Sequence, residues 1–238
     1  EKAIYEKEFV GADLELDDYY KAGIRACLGV RKGVEEYGLS AFSVNFLDMS
    51  ADNLGTMPFI ECSKAMARGI GYAGEGDVLT ASFVGALLKG FKDTSFIEIF
   101  CPDWKKDKLL ISHMGEMNYG VATDKPSFAI EKFNYAPVGK ANKAYACFKK
   151  GQAVFGNLYK DADGKYKLLL SDIEMLDDEP GYANKIRGWF KANCHIDEFL
   201  EKLSEHGAIH HSFMVYDVGN VSNFLEYDYE VLYAEGNK

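Results

Sequence analysis

Gly71-Tyr72-Ala73-Gly74-Glu75-Gly76-Asp77 divides the chain into two kinds of sequence. Its three glycines in six positions allow backbone turns that other residues would strain. On its amino-terminal side the apolar pattern is helical. Leu16, Tyr20, Ile24, Cys27, Leu28, Val30 and Val34 recur with helix spacing from Leu14 to about Tyr37, and Gly38 supplies the stop. Ala41 to Leu47 (AFSVNFL) is dense in strand formers and runs into a turn at Asp48-Met49-Ser50. Pro58 opens a second helix that reaches about Arg68. Helix, strand, loop and helix in that order predict the tail of an α/β domain.

Beyond the glycine-rich stretch, Asp77 or Thr80 is placed to start a helix whose apolar positions Val78, Leu79, Phe83, Ala86, Leu87 and Leu88 carry it to Gly90. Six short β-prone segments then follow: Ser95–Cys101, Lys108–Ser112, Ser127–Phe133, Lys143–Phe148, Ala153–Tyr159 and Lys165–Leu170. Short turns such as Asp161-Ala162-Asp163-Gly164 predict an antiparallel sheet or barrel, closure being the simplest way to remove edge strands. Helix returns at Ile196 to Glu205, a strand or short helix is expected at Ile209 to Tyr216, and a last strand near Tyr229 to Tyr233. The expected fold class is therefore α+β. A partial α/β segment over residues 1–75 is followed, over 76–238, by an antiparallel β-barrel-like domain with accessory helices.

The 238 residues carry 37 acidic against 27 basic side chains, and the net charge of -10 disfavours binding to a phosphate backbone. No run approaches the roughly 20 apolar residues of a membrane span. Cys27, Cys62, Cys101, Cys147 and Cys194 are odd in number and form no C-x-x-C pair, which fits reduced thiols in a cytoplasmic protein. The chain starts with Glu1 inside an already helix-compatible stretch, as a segment of a longer protein would.

Four places carry potential chemistry: Glu75 in GYAGEGD, Glu98 in TSFIEIF, His113 in LLISHMGE, and His210-His211 in GAIHHSF. Each lies among glycines or apolar strand residues, where an isolated charge is costly unless partnered. Two carboxylates and one or two imidazoles can share a divalent ion, and a mixed oxygen and nitrogen set suits manganese while accepting cobalt, magnesium or zinc. Glu98 and His113 sit on adjacent β segments that a hairpin brings together, whereas Glu75 and His211 can join them only through the fold. On spacing alone, solvated glutamates and hydrogen-bonded core histidines account for the same letters.

GYAGEGDVLTAS, TSFIEIF, ISHMGE and the His210-His211 pair before Ser212-Phe213 resemble, in order and separation, the successive metal-site motifs of the L-arabinose isomerase family. RACLGVRKGVEEYGLSAFSVNF resembles the helix and strand that lead into the first of these motifs. The resemblance covers most of the chain, as the middle and carboxy-terminal portion of such an enzyme, and leaves an amino-terminal domain outside it. It implies an aldose–ketose isomerase that works through a cis-enediolate with a bound divalent metal, most often manganese. Glu75, Glu98, His113 and His211 match its metal ligands, and Glu75 and Glu98 also match its proton-transferring carboxylates. His210 matches a substrate-side neighbour. It further implies a small sugar substrate, an aldopentose or 6-deoxyhexose, and a homo-oligomer, trimer or hexamer, with active sites between subunits. Ile99-Phe100-Cys101-Pro102-Asp103-Trp104 and Met117-Asn118-Tyr119-Gly120 depart from the family pattern, so a fucose-isomerase-like specificity stays open. A noncatalytic carbohydrate-binding homologue is the alternative of a different class.

Overall fold

The computed structural model describes residues 1–50, 52–179, 181 and 185–216, together with the backbone of 230–233. Two helices, α1 (Lys2–Glu8) and α2 (Asp18–Glu36), lead into β1 (Ala41–Ser43), α3 (Phe59–Ala67) and β2 (Gly71–Ala73). Strands β1 and β2 pair in parallel, with Ala41 opposite Gly71 and Ser43 opposite Ala73. The expected strand over 41–47 ends early because the Asn45 side chain accepts from the Leu47 amide and turns residues Phe46–Asp48 into one turn of 3-10 helix. The glycine-rich stretch, read as an interruption, begins as strand β2.

Helix α4 (Val78–Gly90) is buried on more than one side because it lies between two layers. One side packs on β1 and β2, where glycines allow close approach. A methyl group at Gly71 would stand 2.2 Å from the Ala81 carbonyl oxygen, and one at Gly85 would stand 2.9 Å from that of Ser40. The other side meets the wall of a barrel. Strands β3 (Thr94–Asp103), β4 (Lys108–His113), β7 (Gly151–Lys160), β8 (Tyr166–Met175), β9 (Ile186–Ala192) and β10 (His211–Val215) pair in the order β8-β7-β10-β3-β4-β9, and β9 returns to β8. The result is a closed, six-stranded antiparallel barrel.

The period of two along each strand separates two cores. Ile97, Leu109, Ile111, Phe155, Ile173, Phe190 and Met214 form one cluster, joined by Ile196, Phe199 and Leu203 of α5 (Ile196–Glu205). Their alternates Phe96, Val154, Leu158, Leu168, Leu170, Phe213 and Val215 join Phe83, Val84, Leu87 and Leu88 of α4 in the other. The first fills the barrel and the second is the seam between barrel wall and α/β layer. Glu98 and His211 have the parity of Phe96 and Phe213, so they lie on the seam side at its edge.

Two of the six expected β segments fall outside the barrel. Strands β5 (Ser127–Lys132) and β6 (Lys140–Tyr145) form a two-stranded sheet of their own, and β6 packs against α2, where Asn142 fills the space that a side chain at Gly23 would need. Their places in the barrel are taken by β9 and β10. The backbone of β11 (Glu230–Tyr233) runs parallel to β8, while Tyr229, included in the expected last strand, lies outside the described residues. No helix among the described residues is long and apolar enough to cross a membrane.

Candidate metal centre

The loop from β2 to α4 carries Glu75 in an unusual conformation. Its φ of 58° lies in the left-handed region, which a non-glycine residue occupies at a cost of roughly 1–2 kcal/mol. Several contacts hold it there: the Gly76 amide donates to the Val44 carbonyl (3.1 Å), the Ser43 hydroxyl donates to that of Ala73 (2.7 Å), and the Asp77 carboxylate caps α4 by accepting from the Thr80 amide (2.9 Å). Glu98 on β3 is the direct cross-strand partner of His211 on β10. On its other side it pairs with Ser112, the residue before His113.

These elements bring the side chains together. Glu98 has one carboxylate oxygen 3.6 Å from His113 Nε2 and the other 3.5 Å from His210 Nε2. Glu75 lies 3.5 Å from His211 Nε2. Glu75, His210 and His211 each offer a donor atom within 4.8 Å of the others'. That trio includes His210, which the sequence assigned to the substrate side, and His210 is more exposed than either of the other histidines. His113 and His211 are buried, and the Nε2 of each is buried without a hydrogen-bond partner.

Two carboxylates stand behind the imidazoles. Glu116 Oε2 is 2.5 Å from His113 Nδ1, and Asp77 Oδ2 is 3.1 Å from His211 Nδ1. Sequence reading gave neither a part in the site. Asp77 was read as a helix cap, which it also is, and Glu116 stood unremarked three residues after His113. Burial disfavours a charged His113, yet Glu116, with Glu98 and Glu75 beyond it, raises its pKa above the usual imidazole value. Burial also raises the Glu98 carboxyl, against the lowering effect of the three histidines. Asp77 is held below the usual carboxylate range: burial acts to raise it, and the His211 and Thr80 bonds overcome that.

Two unpartnered, carboxylate-backed imidazole nitrogens facing two carboxylates form a donor set that fits a hard divalent cation such as manganese. Phe96 meets both rings in T-shaped contacts, with ring centroids 5.0 Å from His113 and 5.4 Å from His211, and forms an apolar floor to the site. Glu75 and Glu98 open into a cleft of about 540 Å³, lined also by Asn45, Phe46, Phe100 and Tyr135. At its back, a Cβ on Gly74 would stand 2.9 Å from His113 Nε2. Gly74→Ala is therefore expected to push the His113 ring aside, with overpacking strain of about 1–3 kcal/mol, and to weaken cation binding by roughly 10- to 100-fold. Calorimetric titration of both proteins with Mn2+ checks this, and equal affinities would show that the space beside Nε2 is not used.

The architecture and this centre together define an α+β protein with a cation-suited acidic and imidazole cluster on the seam between a β-barrel and an α/β layer. Comparison with known proteins gives the family. The model of the L-arabinose isomerase central domain matches residues 5–90 and that of the L-arabinose isomerase C-terminal domain matches residues 93–227. The chain belongs to the L-arabinose isomerase family. L-arabinose isomerase of Leuconostoc mesenteroides is 30% identical over 70% of this chain and 36% of its own length. That of Pediococcus pentosaceus is 32% identical over 64% of this chain and 32% of its own, and that of Flavobacterium johnsoniae 33% over 62% and 30%. The chain thus spans about a third of the length of the curated relatives it matches.

Proposed function

We propose that this chain carries the catalytic core of an aldose–ketose isomerase acting on L-arabinose or a closely related sugar. The observation that carries the reading is the pair of buried, unpartnered Nε2 atoms on His113 and His211, each backed by a carboxylate and each facing one of the two glutamates of the cleft. In this reading Glu75, Glu98, His113 and His211 hold the cation and His210 borders the sugar. A bound Mn2+ would supply Lewis-acid stabilisation of the negative charge that builds on O1 and O2. Glu75 and Glu98 carry the protons. One takes the C2 proton and returns it to C1, and the other moves the hydroxyl proton through a cis-enediolate. The Phe96 floor excludes water from the exchange.

The test has two arms. Isomerisation of L-arabinose, L-fucose and related aldoses is assayed in D2O by NMR, with deuterium uptake at C1 of the ketose as the sign of enediol chemistry; sugar binding without exchange would reject the enzymatic reading. Mn2+ affinity is measured across roughly pH 5 to 8, where imidazoles titrate. Ligation requires neutral rings, and in the metal-free protein His113 holds its proton to higher pH than a free imidazole does. Affinity should therefore rise with pH and level off once His113 has lost its proton. A pH-independent affinity would remove the histidines from the ligand set.

Leu47 and Tyr135, 82% and 65% exposed, and Phe100 hold apolar surface in solvent around the cleft mouth. Burial of that rim by another subunit would complete the sugar pocket, as the family resemblance implies. We expect self-association, trimeric or hexameric; light scattering that shows a monomer throughout the micromolar range would count against it.

A further inference from the structure

Behind His113 runs a chain of hydrogen bonds that neither the barrel core nor the cleft requires. Glu116 is 1% exposed, and its two carboxylate oxygens are spent on two partners: His113 Nδ1 at 2.5 Å and the Tyr72 hydroxyl, which donates at 2.7 Å. Tyr72 is fully buried and belongs to β2 in the α/β layer, whereas His113 ends the barrel strand β4 and Glu116 follows three residues later. The three side chains therefore join the two halves of the fold underneath the candidate centre. A buried carboxylate is expensive, and an apolar side chain of similar volume would fill the same space at lower cost. Asp77, which backs the other imidazole, is explained by its second task of capping α4. Among the described residues Glu116 caps no helix; beside His113 Nδ1 its partner is the Tyr72 hydroxyl.

The polarity of the chain follows from its ends. Burial and the neighbouring Cys62 and Glu116 push the Tyr72 phenol far above its ordinary value, so Tyr72 keeps its proton and acts as the donor. Glu116 then accepts on both oxygens. In neutral His113 the single ring proton is accordingly drawn to Nδ1, which leaves a lone pair on Nε2, the buried atom with no hydrogen-bond partner, 3.6 Å from Glu98. The opposite tautomer would turn an N–H toward the cleft and could not act as a ligand there.

We propose that Tyr72 and Glu116 are positioning residues: the relay from the Tyr72 hydroxyl through Glu116 to His113 Nδ1 fixes the ring's orientation and its Nδ1–H tautomer, so that the Nε2 lone pair faces the site. The value of this arrangement rests on the metal-centre reading above, but the tautomer does not, and the experiment separates them.

The ring-labelled protein is studied by 15N NMR without metal at a pH where His113 is neutral, and then titrated with Mn2+. The wild-type protein is expected to show His113 protonated on Nδ1. Glu116→Gln should let the Nε2–H form appear and weaken Mn2+ binding by roughly 10- to 100-fold, the usual effect of losing such a supporting carboxylate. Tyr72→Phe, which deletes one oxygen and keeps the ring, should retain the Nδ1–H form and weaken binding less. In a His113→Ala background, Glu116→Gln should cause no further loss of affinity, because its effect passes through His113. A wild-type His113 protonated on Nε2 overturns the proposal. So does a Glu116→Gln protein with unchanged tautomer and affinity, or one as damaging without His113 as with it. If Glu116→Gln does not fold, Tyr72→Phe decides, and unchanged Mn2+ affinity in that variant overturns the relay. If the wild-type protein binds no Mn2+, the metal-centre reading fails, and the relay then stands or falls on the tautomer of the metal-free protein alone.

Discussion

Exchanging Glu98 for glutamine is expected to lower isomerisation by roughly 10²- to 10⁴-fold, the range associated with loss of a positioned acid or base. The replacement keeps the shape of the side chain and removes its charge and its capacity to take up a proton. Glu98 lies 3.6 Å from His113 Nε2 and 3.5 Å from His210 Nε2, and its backbone is fixed by pairing with His211 on one side and Ser112 on the other. The expected loss therefore appears in kcat, with a parallel loss of Mn2+ affinity, while the pairing of β3 and the melting temperature are preserved. His195→Asn is the control. His195 stands exposed at the start of α5, beside Asp107, with no capping bond from its side chain, and its replacement should leave both activity and affinity unchanged. A Glu98→Gln protein that isomerises normally would remove Glu98 from the chemistry and transfer the proton traffic to Glu75.

The parts of the fold that sequence reading captured are those where local preference and tertiary packing agree. Helices α2, α4 and α5 carry apolar residues at helical spacing, α2 and α4 start at the capping aspartates Asp17 and Asp77, and β3, β4, β7 and β8 are rich in strand formers. The parts it lost are decided by partners. Ile186–Ala192 mixes the strand formers Ile186, Trp189 and Phe190 with Arg187, Gly188 and Lys191, which breaks any regular alternation, yet it is held between β4 and β8. Gly188 is needed there, because a methyl group would stand 2.7 Å from the Met175 side chain and 3.1 Å from that of Phe148. His211–Val215 reads equally well as strand or short helix until β3 and β7 pair with it. The reverse error placed β5 and β6 in the barrel, since strand-like letters do not say which sheet a strand joins.

The candidate site shows the same division. Glu75, Glu98, His113 and His211 drew notice as polar residues in glycine-rich or apolar surroundings, and their motifs gave them an order. Glu116 and Asp77 had signals of their own: a carboxylate three residues after a histidine, and a second carboxylate two residues after a first. Neither signal could be read for its partner. The bond of Asp77 to His211 spans 134 residues, and that of Tyr72 to Glu116 joins two layers that the sequence presents as separate segments.

Phe213→Ala is expected to cost about 3–5 kcal/mol of stability, the usual price of emptying an aromatic site in a core that cannot collapse. Phe213 is fully buried in the seam, with Phe96 and Gly156 as its cross-strand neighbours and the ring of Phe83 on α4 at 5.1 Å. Gly156 makes room for it: a Cβ at that position would stand 2.0 Å from the Phe213 ring. Truncation leaves a cavity that no neighbour on β7 can fill, since the residue beneath it has no side chain to move. Denaturation with urea should show a lower midpoint with an unchanged slope, as expected when stability changes and the extent of unfolding does not. Mn2+ affinity should fall as well. Phe213 stands two residues from His211 on the same face of β10, and beside Phe96, on which both imidazoles rest. A loss below about 1 kcal/mol, the ordinary size of a point-mutant effect, would show that the seam between α4 and the barrel is not the close-packed joint that positions the centre.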